Sequence, residues 1–152
     1  MAARGSLNAG MNETVRKFGY PETLIEEFDH WLVLLRPAQP TLGSLVLAAK
    51  SDVTAFADLP DAAFAELALV SRAIETALTA AVAHEKLNYL MLMMVDPHVH
   101  YHVIPRYSGM RAHDGVSFED HGWPKLPDLG QAVALDGAQI VTLTDWLKPL
   151  FS

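Results

Sequence analysis

Three of the seven histidines stand at alternate positions of one short run, His98-Val99-His100-Tyr101-His102-Val103-Ile104-Pro105-Arg106. A β-strand repeats every two residues, so in extended conformation His98, His100 and His102 share one face while Val99, Tyr101 and Val103 share the other. At a rise of about 3.3 Å per residue, successive imidazoles lie ~7 Å apart along that face. An ordinary core gains nothing from this, because each buried ring needs partners for both nitrogens. Imidazole titrates near neutral pH and serves as nucleophile, acid, base or metal ligand. The fold must therefore place one strand with a chemically competent row on one side and an apolar row on the other.

What surrounds that strand follows from composition. A chain of 152 residues, 51% apolar, can bury one substantial core and is too short for two ordinary domains. Cysteine is absent, which excludes disulfides, zinc ribbons and thiol nucleophiles and fits a reducing cytoplasm. A net charge of −7 argues against binding to duplex nucleic acid, which needs a basic face to displace counterions. It leaves room for one locally positive pocket that takes a small anion. Residues 1–12 lack the apolar stretch of a signal peptide and read as a disordered leader; residues 13–152 read as a single domain. No stretch is long and apolar enough to span a bilayer, so no membrane partner is expected.

The pattern along the chain predicts an α+β fold. Residues 13–18 form a helical turn ended by Gly19-Tyr20-Pro21, followed by strands over residues 23–28 and 31–36. The second of these, Trp31-Leu32-Val33-Leu34-Leu35, is continuously apolar, as a strand covered on both faces should be. A third strand spans residues 44–49. Asp58-Leu59-Pro60-Asp61 opens a long helix, in which Phe64, Leu67, Ala68, Ser71, Ile74, Ala77 and Leu78 recur at helical spacing as far as Val82 or His84. Residues 87–95 form a strand, and Asp96-Pro97 turns it into the histidine strand as an antiparallel hairpin. Residues 108–134, rich in Gly, Pro and Asp, read as loop; residues 139–150 form a short closing helix through Ile140, Leu143, Leu147 and Leu150.

The run from His98 to Ile104 resembles the signature of the histidine triad (HIT) superfamily, His-φ-His-φ-His-φ-φ with φ apolar, often followed by the Pro-Arg found here as Pro105-Arg106. A second resemblance lies upstream. There a proline-bearing loop, Pro37-Ala38-Gln39-Pro40-Thr41-Leu42, is followed by Gly43-Ser44, an apolar strand, Lys50, and Asp58-Leu59 opening the helix. Together the likeness covers residues 23–107. It implies a HIT-like antiparallel sheet of about five strands, one long helix packed on it, a short C-terminal helix, and a homodimer.

The resemblance also implies chemistry. His100 would be the nucleophile of a nucleotide phosphohydrolase or nucleotidyl transferase acting at the α-phosphate of a phosphoramidate or dinucleoside polyphosphate, with no cofactor. His102 would contact the α-phosphate and His98 would support the site, while Leu34, Val46 and Trp31 would hold the base. Three positions depart from the family pattern. Arg36 stands where the family has a ribose-binding Asp or Asn, and a guanidinium cannot accept a hydroxyl proton, though it can grip a phosphate or carboxylate. Ser44 replaces the His after Gly43. Met93, Met94 and Val95 replace a polar Gly-Gln-Ser/Thr before the triad, so a nucleotide binder without turnover is an open alternative. Arg106 and Trp123 are further candidates for substrate contact. A different class of reading takes the strand as a transition-metal site completed by His113, His121 or Asp96, but the Pro-Arg continuation has no reason to exist there.

Overall fold

The computed structural model describes residues 10–152. In chain order these form helix α1 (Glu13–Lys17), strands β1 (Leu24–Glu27), β2 (Trp31–Leu35), β3 (Ala38–Gln39) and β4 (Leu45–Ala49), and helix α2 (Asp61–Val82). Strands β5 (Lys86–Leu90), β6 (His100–Arg106), β7 (Met110–His113), β8 (Val116–Glu119) and β9 (Val133–Ala134) follow, and helix α3 (Gly137–Leu147) closes the chain with a 3-10 turn. The main sheet has five antiparallel strands in the order β1-β2-β4-β6-β5, the α+β architecture expected from the sequence.

The continuous apolar runs of β2 and β4 are explained by cover on both faces. Trp31, Val33, Leu35, Leu45, Leu47 and Ala49 point to one side, where Val70, Ile74, Leu78 and Val82 of α2 and Leu143 and Leu147 of α3 meet them. Leu32, Leu34, Val46 and Ala48 point to the other, under Met11 and Val15. Ile74 and Leu78 have no exposed surface, and burial of each stabilises the fold by about 1.5–3 kcal/mol. The Trp31 indole N–H donates to Ala63 O at 2.8 Å, tying β2 to the first turn of α2. Helix α2 ends at Ala83, whose backbone turns left-handed at φ 48°. Ala68, placed by periodicity on the buried stripe, is exposed; Ala63 and Val70 are buried instead.

Four expectations need correction. The leader lies outside the described residues only as far as residue 9: Met11 is buried, and Asn12 caps α1 by accepting the Val15 N–H at 2.9 Å. Strand β5 stops at Leu90 rather than Val95, because its pairing with β6 ends at the Leu90–His102 match; beyond it Leu92, Met94 and Val95 are exposed. The stretch read as loop after residue 108 holds the β7–β8 hairpin, turned at Asp114-Gly115 with both residues at positive φ. That dipeptide is a two-residue hairpin signal. Finally α3 begins at Gly137, under a capping box between Asp136 and Gln139.

Candidate active site

Strand β6 alternates faces, so odd residues meet α2 while His100 and His102 lie on the face covered by α1, opposite Ala48 and Val46 of β4. The strand starts at His100. Val99 is held outside it by backbone bonds, accepting from Ala49 N–H at 3.0 Å and donating to Val53 O at 3.4 Å. His98 therefore precedes the strand, a correction to three histidines in one ladder. Its ring reaches α1, where Thr14 Oγ1 lies 2.9 Å from Nδ1 and also accepts the His98 backbone N–H at 3.3 Å.

The two strand histidines are opposite tautomers. His100, 1% exposed, has Nδ1 at 2.7 Å from the His98 carbonyl oxygen. A carbonyl only accepts, so Nδ1–H donates and the neutral ring keeps a free lone pair on Nε2. His102, 7% exposed, takes a long hydrogen bond at Nδ1 from Arg36 Nε–H at 3.3 Å. A guanidinium only donates, so here Nδ1 carries the lone pair and Nε2 the proton. Burial, then the charges of Arg36 and His100, push the His102 pKa down to about 4, against an opposing pull from Asp96. The rings meet edge to face with centroids 5.0 Å apart. One presents a nucleophilic nitrogen and its neighbour an N–H donor.

Arg36 is set by the loop that follows it. Gln39 is fully buried and uses its whole amide: Nε2 donates to Arg36 O at 2.6 Å and Ser44 O at 2.8 Å, and Oε1 accepts Gly43 N–H at 2.9 Å and Ser44 N–H at 3.1 Å. Gly43 turns at φ 93°, a backbone conformation that favours glycine, although a Cβ there would meet Leu78, Pro105 and Val82 only at ordinary contact distances of 3.4–3.5 Å. Arg36 Nη1 donates to Ala38 O, and burial draws the guanidinium pKa below its ordinary value. Among the described residues no carboxylate pairs with it.

The other sequence candidates part company. Leu34 and Val46 are neighbours on the histidine face, but neither has exposed surface, with Met11 and Val15 above them and Phe18 packed alongside. Trp31 faces α2, 6.1 Å from the Tyr101 ring. Arg106 is 4% exposed and held at all three nitrogens: Nε and Nη2 donate to the two oxygens of Asp120 at 2.7 and 3.1 Å, and Nη1 donates to Asn88 Oδ1 at 2.8 Å. It holds the sheet to the segment after it rather than opening toward a ligand. Trp123 is half-buried in the turn that Asp120 closes, its backbone N–H donating to Asp120 O at 3.2 Å. His113 stacks on Trp146 with centroids 4.1 Å apart, and His121 sits 3.3 Å from Glu119. Among the described residues no group of three His, Asp or Glu side chains is arranged to hold a metal ion. A cavity of about 300 Å³ lined by Leu47, Leu67, Ser71, Tyr89 and Tyr101 lies on the α2 side of the sheet, away from the histidine pair.

Sequence reasoning missed the partners supplied by α1. Lys17 Nζ pairs with Asp96 at 2.6 Å, compensating the negative charge that Asp96 brings to the site. Phe18 lies 5.6 Å from both the His100 and His102 rings. Thr14, Lys17 and Phe18 are spaced i, i+3, i+4, so one short turn delivers all three; that spacing was a usable signal.

A protein-family model described as the HIT domain matches residues 17–109. No curated protein matches the chain. Among solved structures, a histidine triad (HIT) protein from Sinorhizobium meliloti is 20% identical with a TM-score of 0.70, covering 91% of this chain and 94% of that one. A hypothetical histidine triad nucleotide-binding protein from Sulfolobus tokodaii is 18% identical with a TM-score of 0.62, covering 85% of this chain and 83% of that one. The NitFhit protein of C. elegans is 18% identical with a TM-score of 0.64 over 85% of this chain, which spans only 27% of that protein. At such identities the likeness is one of fold.

Proposed function

The chain belongs to the HIT domain family, and from that membership we propose that it is a nucleotide phosphohydrolase or nucleotidyl transferase working at the α-phosphate through a nucleotidyl-His100 intermediate. The observation that carries this reading is the 2.7 Å contact between His100 Nδ1 and the His98 carbonyl, which leaves the Nε2 lone pair as nucleophile. His102 Nε2–H donates to a phosphoryl oxygen. Phosphoryl transfer is mostly positioning and charge neutralisation, and Arg36 adds a cation with no carboxylate of its own. His98 supports the site through its carbonyl and its link to Thr14. The Sulfolobus tokodaii neighbour is described as nucleotide-binding, which agrees with this reading. Because Leu34 and Val46 are covered, Phe18 is the apolar side chain next to the histidines for a base to meet. Trp123 remains a candidate for substrate contact.

Among the described residues no helix is long and apolar enough to cross a membrane, and a cytoplasmic enzyme is proposed. A homodimer is proposed as well: β5 is a sheet edge, followed by exposed Leu92, Met94 and Val95. The test is intact mass, quenched without acid, after mixing with an adenosine phosphoramidate and, separately, a diadenosine polyphosphate. An added AMP mass with at least one of them, absent in His100→Ala, is expected, together with a loss of turnover of at least about 10⁴-fold. Substrate loss without adduct, unaffected by His100→Ala, would overturn the assignment. Binding without substrate loss would favour the nucleotide binder, whose motive is the apolar Met93-Met94-Val95 segment before the triad.

A further inference from the structure

The nucleotidyl-His100 reading leaves the leaving group open, and the two tautomers constrain it. Arg36 can only donate, so while its Nε–H points at His102 Nδ1 the ring is neutral with its proton on Nε2. A neutral imidazole N–H is a good hydrogen-bond donor and a very poor acid. The groups facing His102 are Arg36 from the turn after β2, His100 from β6, and Asp96 from the loop before it, whose carboxylate is paired with Lys17 of α1. One guanidinium in contact and one carboxylate already ion-paired elsewhere do not favour an imidazolium in a buried ring.

Among the described residues other proton sources are scarce. Residues 91–97, Met91-Leu92-Met93-Met94-Val95-Asp96-Pro97, contain no hydroxyl, and their one carboxylate is ion-paired with Lys17. His98 is turned to Thr14 of α1. His100 Nδ1–H is committed to a carbonyl.

We propose that Arg36 is a positioning residue that locks His102 as an N–H donor, and that the site consequently takes substrates whose leaving group departs as a stable oxyanion, as from a phosphoric anhydride, in preference to an amine. In the first half-reaction His100 Nε2 forms an N–P bond while the P–O bond to the leaving group breaks, its electron pair remaining on oxygen. In the second, water oxygen attacks the same phosphorus, the P–N pair returns to Nε2, and the water proton passes to solvent. Neither half draws a proton from His102. An amine leaving group would need one, because otherwise it departs as an amide anion. The proposal rests on the nucleotidyl-His100 reading for its chemistry and on the Arg36–His102 geometry for its selectivity.

Two measurements test it. Adduct formation is timed with a diadenosine polyphosphate and with adenosine 5′-phosphoramidate, both delivering AMP to His100. The anhydride should react at least about 10²-fold faster, the deficit expected where a general acid is missing. In parallel, nitrogen NMR of the His102 ring is followed from about pH 5 to 8 in the parent protein, Arg36→Lys and Arg36→Ala. Nδ1 bare and Nε2 protonated throughout, replaced by tautomer-averaged nitrogen shifts or a protonated ring in Arg36→Ala and kept in Arg36→Lys, is the expected result. Equal rates with the two substrates, with adducts forming, would overturn the proposal while leaving the nucleophile in place. So would His102 titrating near neutral pH in the parent. No adduct from either substrate would remove the underlying reading, whatever the NMR shows.

Discussion

Arg36 and Arg106 flank the same histidine face, and both looked in the sequence like ligand contacts. In the fold they are opposites. Arg106 gives donors to both oxygens of Asp120 and one to Asn88, and is 4% exposed. Arg36 gives one donor to a histidine nitrogen and one to a carbonyl, with no carboxylate partner among the described residues. A buried cation whose charge is met internally belongs to the architecture, whereas the half-buried Arg36, with no counter-charge beside it, is the one we propose meets an anion. Asp120 draws the line between them. It also accepts the Tyr107 N–H at 3.3 Å and the Gly122 N–H at 3.1 Å, joining β6 to the segment that follows.

The contrast can be broken first at its stronger end. Asp120→Ala strands a buried guanidinium, so the denaturant midpoint should fall by the equivalent of about 3–5 kcal/mol; a change of no more than about 0.5 kcal/mol, the range of an ordinary surface substitution, would show that Arg106 is not structural. Arg36→Met should behave in the reverse sense, leaving the midpoint unchanged or raised. Its AMP affinity should drop about tenfold or more, since hydrogen bonds to charged groups are worth ~1.5–3 kcal/mol. Undiminished affinity in that variant would place the anion elsewhere.

Acid sharpens the same comparison. His102 is held at about 4 in the folded protein, against an ordinary value of about 6.5. The unfolded chain therefore takes up this proton first as pH falls. The stabilisation is fully present above about pH 6.5 and is lost progressively toward about pH 4. His102→Gln should flatten the stability profile across that window, and unfolding midpoints of equal pH slope would contradict it. The smallest effect belongs to Lys17, which is 56% exposed in its pair with Asp96. Lys17→Ala should change stability by no more than about 1 kcal/mol, read as a shift of the urea midpoint.

Period-two alternation located β6 and period-3.6 spacing α2, because each buries one face and repeats with its own geometry, while β2 was legible as a continuous apolar run covered on both faces. Local turn chemistry was equally present but unread: Asp114-Gly115 for the β7–β8 hairpin and Asp136 with Gln139 for the start of α3. The boundary of β5 was not legible, since nothing in Met91-Leu92-Met93-Met94-Val95 announces that its partner strand has ended. A run of apolar residues looks the same whether it is buried or left outside.

The order of residues alone determined which side chains are chemically competent and which face of β6 they take, because alternation along a strand is a property of the backbone. Only the tertiary structure decided what each of them does with its hydrogen bonds. His98 and His100 are two residues apart and meet by local geometry, but Arg36 reaches His102 across 66 positions and Thr14 reaches His98 across 84. A tautomer depends on whether the partner across such a gap gives or accepts a proton, and no spacing within a strand carries that information.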